Sequence, residues 1–147
     1  MKDLFVSYEQ AVQLKELGFD EPCLTFYNGK FLDSTEYDFD SCVSKDIGDC
    51  VLAPLKQQVF EWFRNVHNYH VSIRKRYFQT DGRIEYNYFI YPPNSNEHLE
   101  HNLLDEYDTW EEAESACIDD LIKLVKGDGT IDFICPDPNC PHCNYNE

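Results

Sequence analysis

Near the C-terminus, Cys135-Pro136-Asp137-Pro138-Asn139-Cys140-Pro141-His142-Cys143 gathers the residues with the most obvious chemistry in the chain. Zinc takes four tetrahedral thiolate or imidazole ligands, and Cys140-x-x-Cys143 has knuckle spacing, with Cys135 or His142 able to add a third. A closed site needs a fourth. No second Cys-x-x-Cys pair occurs, so that ligand would come from Cys23, Cys42, Cys50 or a histidine of the body, or from a second copy of the chain. The competing reading is a proline-rich tail whose thiols are incidental. No cofactor is the leading expectation, with zinc the one these residues could hold.

A second chemistry lies in the stretch 71–91, where Arg74, Lys75, Arg76 and Arg83 are interleaved with Tyr77, Phe78, Tyr86 and Tyr88. Aromatic rings that stack on bases, with cations beside them for phosphate, make up a nucleic-acid-binding β-ribbon. Against this stands a formal charge of −16, which repels nucleic acid and anionic membranes alike. Half of those aromatics are expected to face a core, and the cations to pair with carboxylates elsewhere. The opposite idea is an acidic surface offered to a basic protein partner, in the extreme an imitation of nucleic acid.

Other patterns fall short of a site. The acidic run 33–49 lacks the register of an EF-hand loop. His98 and His101 are three apart beside carboxylates but do not form the His-Glu-x-x-His arrangement, and a loop is expected there. There is no glycine-rich phosphate loop, and no spacing brings a thiol, a base and an orienting group together. An enzyme is therefore the less expected class.

These residues must be positioned by a fold, and its organising stretch is 53–91. Pro54 suits the first turn of a helix, where a backbone N–H has no partner, and Leu55, Val59, Trp62, Phe63 and Val66 then recur at helical spacing. Beyond Asn68-Tyr69, Val71, Ile73 and Tyr77 alternate with polar residues as in a half-buried strand. Asp81-Gly82 predicts a two-residue type I′ turn, and Ile84, Tyr86, Tyr88 and Ile90 alternate again until Pro92-Pro93 ends the ladder. Ahead of this stretch, Ser7 and Gln10 form a capping box for a helix of about three turns that Gly18 closes. Residues 23–32 then read as a smaller hairpin turning at Asn28-Gly29. Downstream, Thr109 and Glu112 cap a final helix carrying Trp110, Ala113, Cys117, Leu121 and Leu124 along one stripe, with Ile118, Ile122 and Val125 beside it, and Gly127 ends it. Cys117 is read as a core residue rather than a nucleophile.

The expected fold class is α+β, a small antiparallel sheet of two hairpins packed against about three helices. One domain spans 1–127 and a Cys/Pro-rich tail spans 128–147. A hydrophobic content of 42% with 15% aromatics supports a real core. The odd count of seven cysteines argues for free thiols or metal ligands rather than disulfides. The N-terminus has neither the basic region nor the apolar run of a signal peptide, and no stretch reaches a membrane span, so the cytoplasm is the expected location.

Three runs, SYEQAVQLKELGFDEPC from Ser7, APLKQQVFEWFR from Ala53 and YDTWEEAESACI from Tyr107, resemble a family of small uncharacterised proteins from anaerobic gut bacteria and their phages. The resemblance covers about residues 7–126 and leaves the 135–143 cluster outside it. It implies a phage or mobile-element origin and carries over no activity and no catalytic residue. The function expected is a non-enzymatic accessory protein that binds a host or phage protein through its acidic surface. The alternative is a small zinc-stabilised module that binds nucleic acid with the 71–91 ribbon.

Overall fold

A computed structural model describes residues 2–33, 47–93 and 106–127. The first helix, α1 (Tyr8–Glu16), starts at the predicted box. Ser7 Oγ accepts the Gln10 N–H at 3.2 Å while Gln10 Oε1 accepts the Ser7 N–H at 3.0 Å, so two donors at the helix start are satisfied reciprocally. Gly18, at φ +92°, reverses the chain after Leu17, a conformation that costs a residue with a Cβ. α1 buries Ala11, Leu14 and, unusually, Gln10.

The small hairpin is present but is part of a larger sheet. Strands β1 (Phe26–Asn28) and β2 (Phe31–Leu32) flank a Gly29-Lys30 turn, so Asn28 still belongs to the strand and only Gly29 takes the turn's positive φ. A third strand, β3 (Val51–Leu52), pairs antiparallel with β1 and completes the order β2-β1-β3. This strand was not foreseen, because two residues carry no readable period. The sheet is tied to the N-terminus where Val6 N–H donates to Pro54 O at 3.1 Å and the Tyr27 hydroxyl donates to Val6 O at 2.6 Å.

Helix α2 (Lys56–His67) begins later than Pro54 predicts. Pro54 lies outside the helix and spends its carbonyl on Val6, and the Phe5–Leu55 bridge holds Leu55 extended at ψ 145°, so the helix can only start after it. Val59, Trp62 and Phe63 are buried as the stripe predicts, but Val66 points to solvent at 56% exposure. Asn68 ends the helix in the left-handed region, at φ 58°.

Strands β4 (His70–Tyr77) and β5 (Ile84–Tyr91) pair antiparallel along their whole length as a separate two-stranded sheet. Their connection corrects the predicted two-residue turn. Phe78 N–H donates to Arg83 O at 2.9 Å and Gly82 N–H to Phe78 O at 2.9 Å, leaving a four-residue loop, 79–82. A type I′ turn needs positive φ at both central residues, and here Gly82 alone adopts it, while Asp81 instead accepts the Arg83 N–H through Oδ1 at 3.1 Å. At this tip Tyr77 and Ile84 are exposed rather than inward, and on the opposite face Glu85 and Phe89 are buried.

The last helix, α3 (Trp110–Lys126), has the predicted Thr109–Glu112 box and the predicted Gly127 end, at φ +74°. It packs on β5, α2 and α1, and its fully buried Ala113, Cys117, Ile118, Leu121 and Ile122 join Leu14, Val59, Phe63 and Ile90 in one core. The chain is an α+β fold of three helices and two small antiparallel sheets. No helix among the described residues is long and apolar enough to cross a membrane.

Candidate binding surfaces

Cys135, Cys140, His142 and Cys143 lie outside the described residues, as do Cys42, His98 and His101. Of the thiols the cluster could recruit, Cys23 is buried and its S–H is directed to Glu21 O at 3.3 Å, while Cys50 is half-buried. Cys117 is sealed in the core, where burial, with Asp120 and Glu114 nearby, pushes its thiol well above the ordinary value. That suits a packing residue and not a nucleophile. Among the described residues no group of three or more histidine, cysteine or carboxylate side chains is arranged to hold a metal.

The ribbon is divided by its own register. Arg74 opposes Asn87 and Arg76 opposes Glu85, whereas Lys75 opposes Tyr86 and Ile73 opposes Tyr88. Alternation therefore puts Arg74, Arg76 and Arg83 on one face and Lys75, Tyr86 and Tyr88 on the other.

On the arginine face the guanidinium of Arg74 lies 4.5 Å over the Phe89 ring, and those of Arg76 and Arg83 lie 5.1 and 4.9 Å over Phe78. Arg83 also pairs with Glu85 at 2.8 Å and approaches Asp81 at 3.7 Å, and Arg76 reaches Glu106 at 3.5 Å. Glu85 is only 3% exposed. Burial and a carboxyl contact with Glu106 raise its proton affinity, and Arg83 opposes that rise.

On the other face Tyr88 is buried and its hydroxyl donates to Asp120 Oδ2. Removal from water and the adjacent Asp120 carboxylate push that phenol far above its ordinary value. Tyr86 exchanges both backbone hydrogen bonds with Tyr107, and its ring meets Trp110 edge-on at 6.1 Å. Lys75 is exposed and forms no ion pair among the described residues.

A feature that sequence reasoning missed is a groove of about 360 Å³ between α2 and β4. Gln57, Phe60 and Arg64, spaced to share one side of α2, form one wall. The consecutive residues 69–73 form the other, and Trp110 of α3 adds an aromatic surface that is 40% exposed. Four successive strand residues, His70 to Ile73, from both faces, can line one groove only if it runs along the strand's edge. The signal in the sequence was Arg64 and His70 flanking the helix-to-strand connection, but nothing local shows that α3 brings Trp110 there.

The charge outside the ribbon is largely carboxylate. On α1 and α3, Glu9, Glu16, Glu111, Glu112 and Asp119 are all exposed. The lysines of the same helices are partly engaged, Lys126 with Glu16 at 2.9 Å and Lys123 with Asp120 at 3.7 Å. No family model, curated protein or solved structure matches the chain.

Proposed function

We propose that this is a non-enzymatic accessory protein, of phage or mobile-element origin and acting in the cytoplasm, that works by binding a protein partner through its acidic surface. The observation that carries the reading is where the ribbon's cations are spent. Arg74, Arg76 and Arg83 are each committed to an aromatic ring of the same face, Arg76 and Arg83 to carboxylates as well, and the buried Tyr88 is turned from solvent. A surface that neutralises phosphates needs cations free to do so, because release of condensed counterions supplies most of that affinity. Glu9, Glu16, Glu111, Glu112 and Asp119 of α1 and α3 are by contrast exposed, at a net charge that speeds encounter with a basic surface.

The test is a charge-reversal comparison. Glu9→Lys with Glu111→Lys should abolish retention of a partner recovered from the source cell, while reversal of Glu61 and Asp81 should leave it. Equal loss from both sets, or no loss from either, overturns the reading.

Two further measurements separate the alternative, a zinc-stabilised module using Arg74, Lys75, Arg76, Arg83, Tyr86 and Tyr88. Titration against single-stranded DNA and RNA should show no binding at about 0.1 M salt, whereas the alternative requires binding that weakens steeply as salt rises. Elemental analysis of protein purified without added metal should find no zinc. About one zinc per chain, lost in Cys140→Ser, would make residues 135–143 a structured site and favour the alternative.

A further inference from the structure

The two edges of the β4–β5 sheet differ. Phe78 and Arg83 are hydrogen-bonded across the ladder, so antiparallel alternation makes Arg76, Arg74, Ser72 and His70 the residues that bond to β5. The intervening Val71, Ile73, Lys75 and Tyr77 must then aim their N–H and C=O groups away from it. The same parity is visible on β5, where Tyr86, opposite Lys75, sends both its backbone groups outward and Tyr107 takes them at 2.9 and 3.0 Å. The β5 edge is thus partly closed. The β4 edge has no backbone partner among the described residues.

An eight-residue edge paired without a bulge and containing no proline is what native sheets avoid exposing, since it templates another strand. Lys75 is the one charge in the outward set. The groove runs along this edge at Val71 and Ile73, and its α2 wall from Gln57 to Arg64 is about 10 Å long, the length of about three strand residues.

We propose that the open edge of β4 and the groove beside α2 take up an internal extended segment of a partner protein that carries an acidic side chain, added as a third strand to the β4–β5 sheet. Main-chain bonds to Val71 and Ile73 supply the attachment. One apolar side chain of the guest lies against Phe60 and the exposed Trp110, and its carboxylate meets Arg64. Arg64 is exposed and forms no ion pair among the described residues, and Lys75 lies along the same edge, so this margin is cationic on an otherwise acidic molecule. Glu61, the acid nearest in sequence on α2, does not line the groove. The segment is internal rather than a chain terminus because the edge continues past the groove through Lys75 and Tyr77. This inference uses another surface and the opposite charge from the acidic-surface reading, and stands or falls separately from it.

The probe is a displayed library of random twelve-residue peptides selected on the full chain. Selected sequences should carry Asp or Glu within an alternating apolar pattern, and synthetic copies blocked at both ends should bind. Arg64→Glu should weaken them about tenfold or more, and Asp→Asn or Glu→Gln in the peptide should do the same. In the free protein the Val71 and Ile73 amides should exchange with solvent faster than those of Ser72 and Arg74, and bound peptide should slow them. Four results each overturn the proposal: no selected peptide, indifference to Arg64→Glu, a requirement for a free C-terminus, or unprotected Val71 and Ile73 amides in the complex. A stable dimer in which β4 edges pair would overturn it too, the edge being already filled.

Discussion

Gln10→Ala tests the way the first and last helices are held together. Gln10 is 3% exposed and makes three hydrogen bonds with one amide group. Its Oε1 closes the α1 capping box on Ser7 N–H at 3.0 Å, and its two Nε2 hydrogens go to Ser115 O and Asp119 Oδ1, each at 2.9 Å. A neutral bond contributes about 1 kcal/mol net and one to a carboxylate about 1.5 kcal/mol or more. Ser115 O sits mid-helix and has an α-helical partner, so its lost bond counts little, and Asp119 is exposed and can return to water. The sum is about 2–3 kcal/mol, against a total stability on the order of 5–15 kcal/mol. Urea unfolding read by tryptophan fluorescence measures it, with Gln13→Ala as the control on the same helix at about 0.5 kcal/mol or less. Gln10→Glu is the sharper probe. It keeps the acceptor for Ser7 but turns a carboxylate oxygen on Ser115 O and Asp119, so at neutral pH it should cost more than Gln10→Ala. Part of that loss should return as pH falls through the carboxylate range, because like charge and burial raise the introduced group's proton affinity. A cost below about 1 kcal/mol for Gln10→Ala, or strict additivity with Asp119→Ala, would refute the tie between α1 and α3.

Three other outcomes follow from the same fold. Glu85 has a raised proton affinity in the folded chain, so its contribution to stability is complete below its ordinary value of 4.5 and is lost as pH rises through the folded value. The urea stability of wild type relative to Glu85→Gln should therefore improve from neutral pH down toward that value, and a flat difference would be inconsistent. Alkylation of native protein by iodoacetamide, mapped by mass spectrometry, should label Cys50 well before Cys117, whose thiol is fully buried and held protonated. Equal labelling would show that α3 opens without global unfolding. Thr109→Ala removes the acceptor of the Glu112 N–H and should cost about 1 kcal/mol in urea unfolding, with Thr109→Ser nearly neutral.

What the sequence revealed was local. The boxes at Ser7 and Thr109, the stop at Gly127 and the break at Pro92 depend on neighbours within a few residues, and all are found as read. The start of α2 was misread because Pro54 is governed by a non-local partner, the Val6 N–H. The strand β3 was missed because its existence depends on β1 rather than on its own two residues. Gln10 was recognised as a cap but not as a link to α3, since its other partners are more than a hundred residues away. The groove needed three elements at once and had no local signature.

The ribbon shows how a small error in a turn changes chemistry without changing a fold. A two-residue turn at Asp81-Gly82 would pair Thr80 with Arg83, and hence Arg76 with Asn87 and Phe78 with Glu85. The four-residue loop shifts this register by two, pairing Arg76 with Glu85 and Phe78 with Arg83. A shift of two preserves which side chains share a face, where a shift of one would exchange the faces. The inward set of Val71, Ile73, Tyr88 and Ile90 was therefore legible from alternation alone, and so was the separation of the arginines from Tyr86 and Tyr88. What alternation could not show is the partner each arginine acquires. In the actual register Glu85 lies opposite Arg76 and against Arg83, with both guanidinium groups over Phe78, so cations that read as a phosphate-binding row are held by groups of their own sheet face. Beside the open edge, the described cations left for a ligand are two that lie off that face, Arg64 and Lys75.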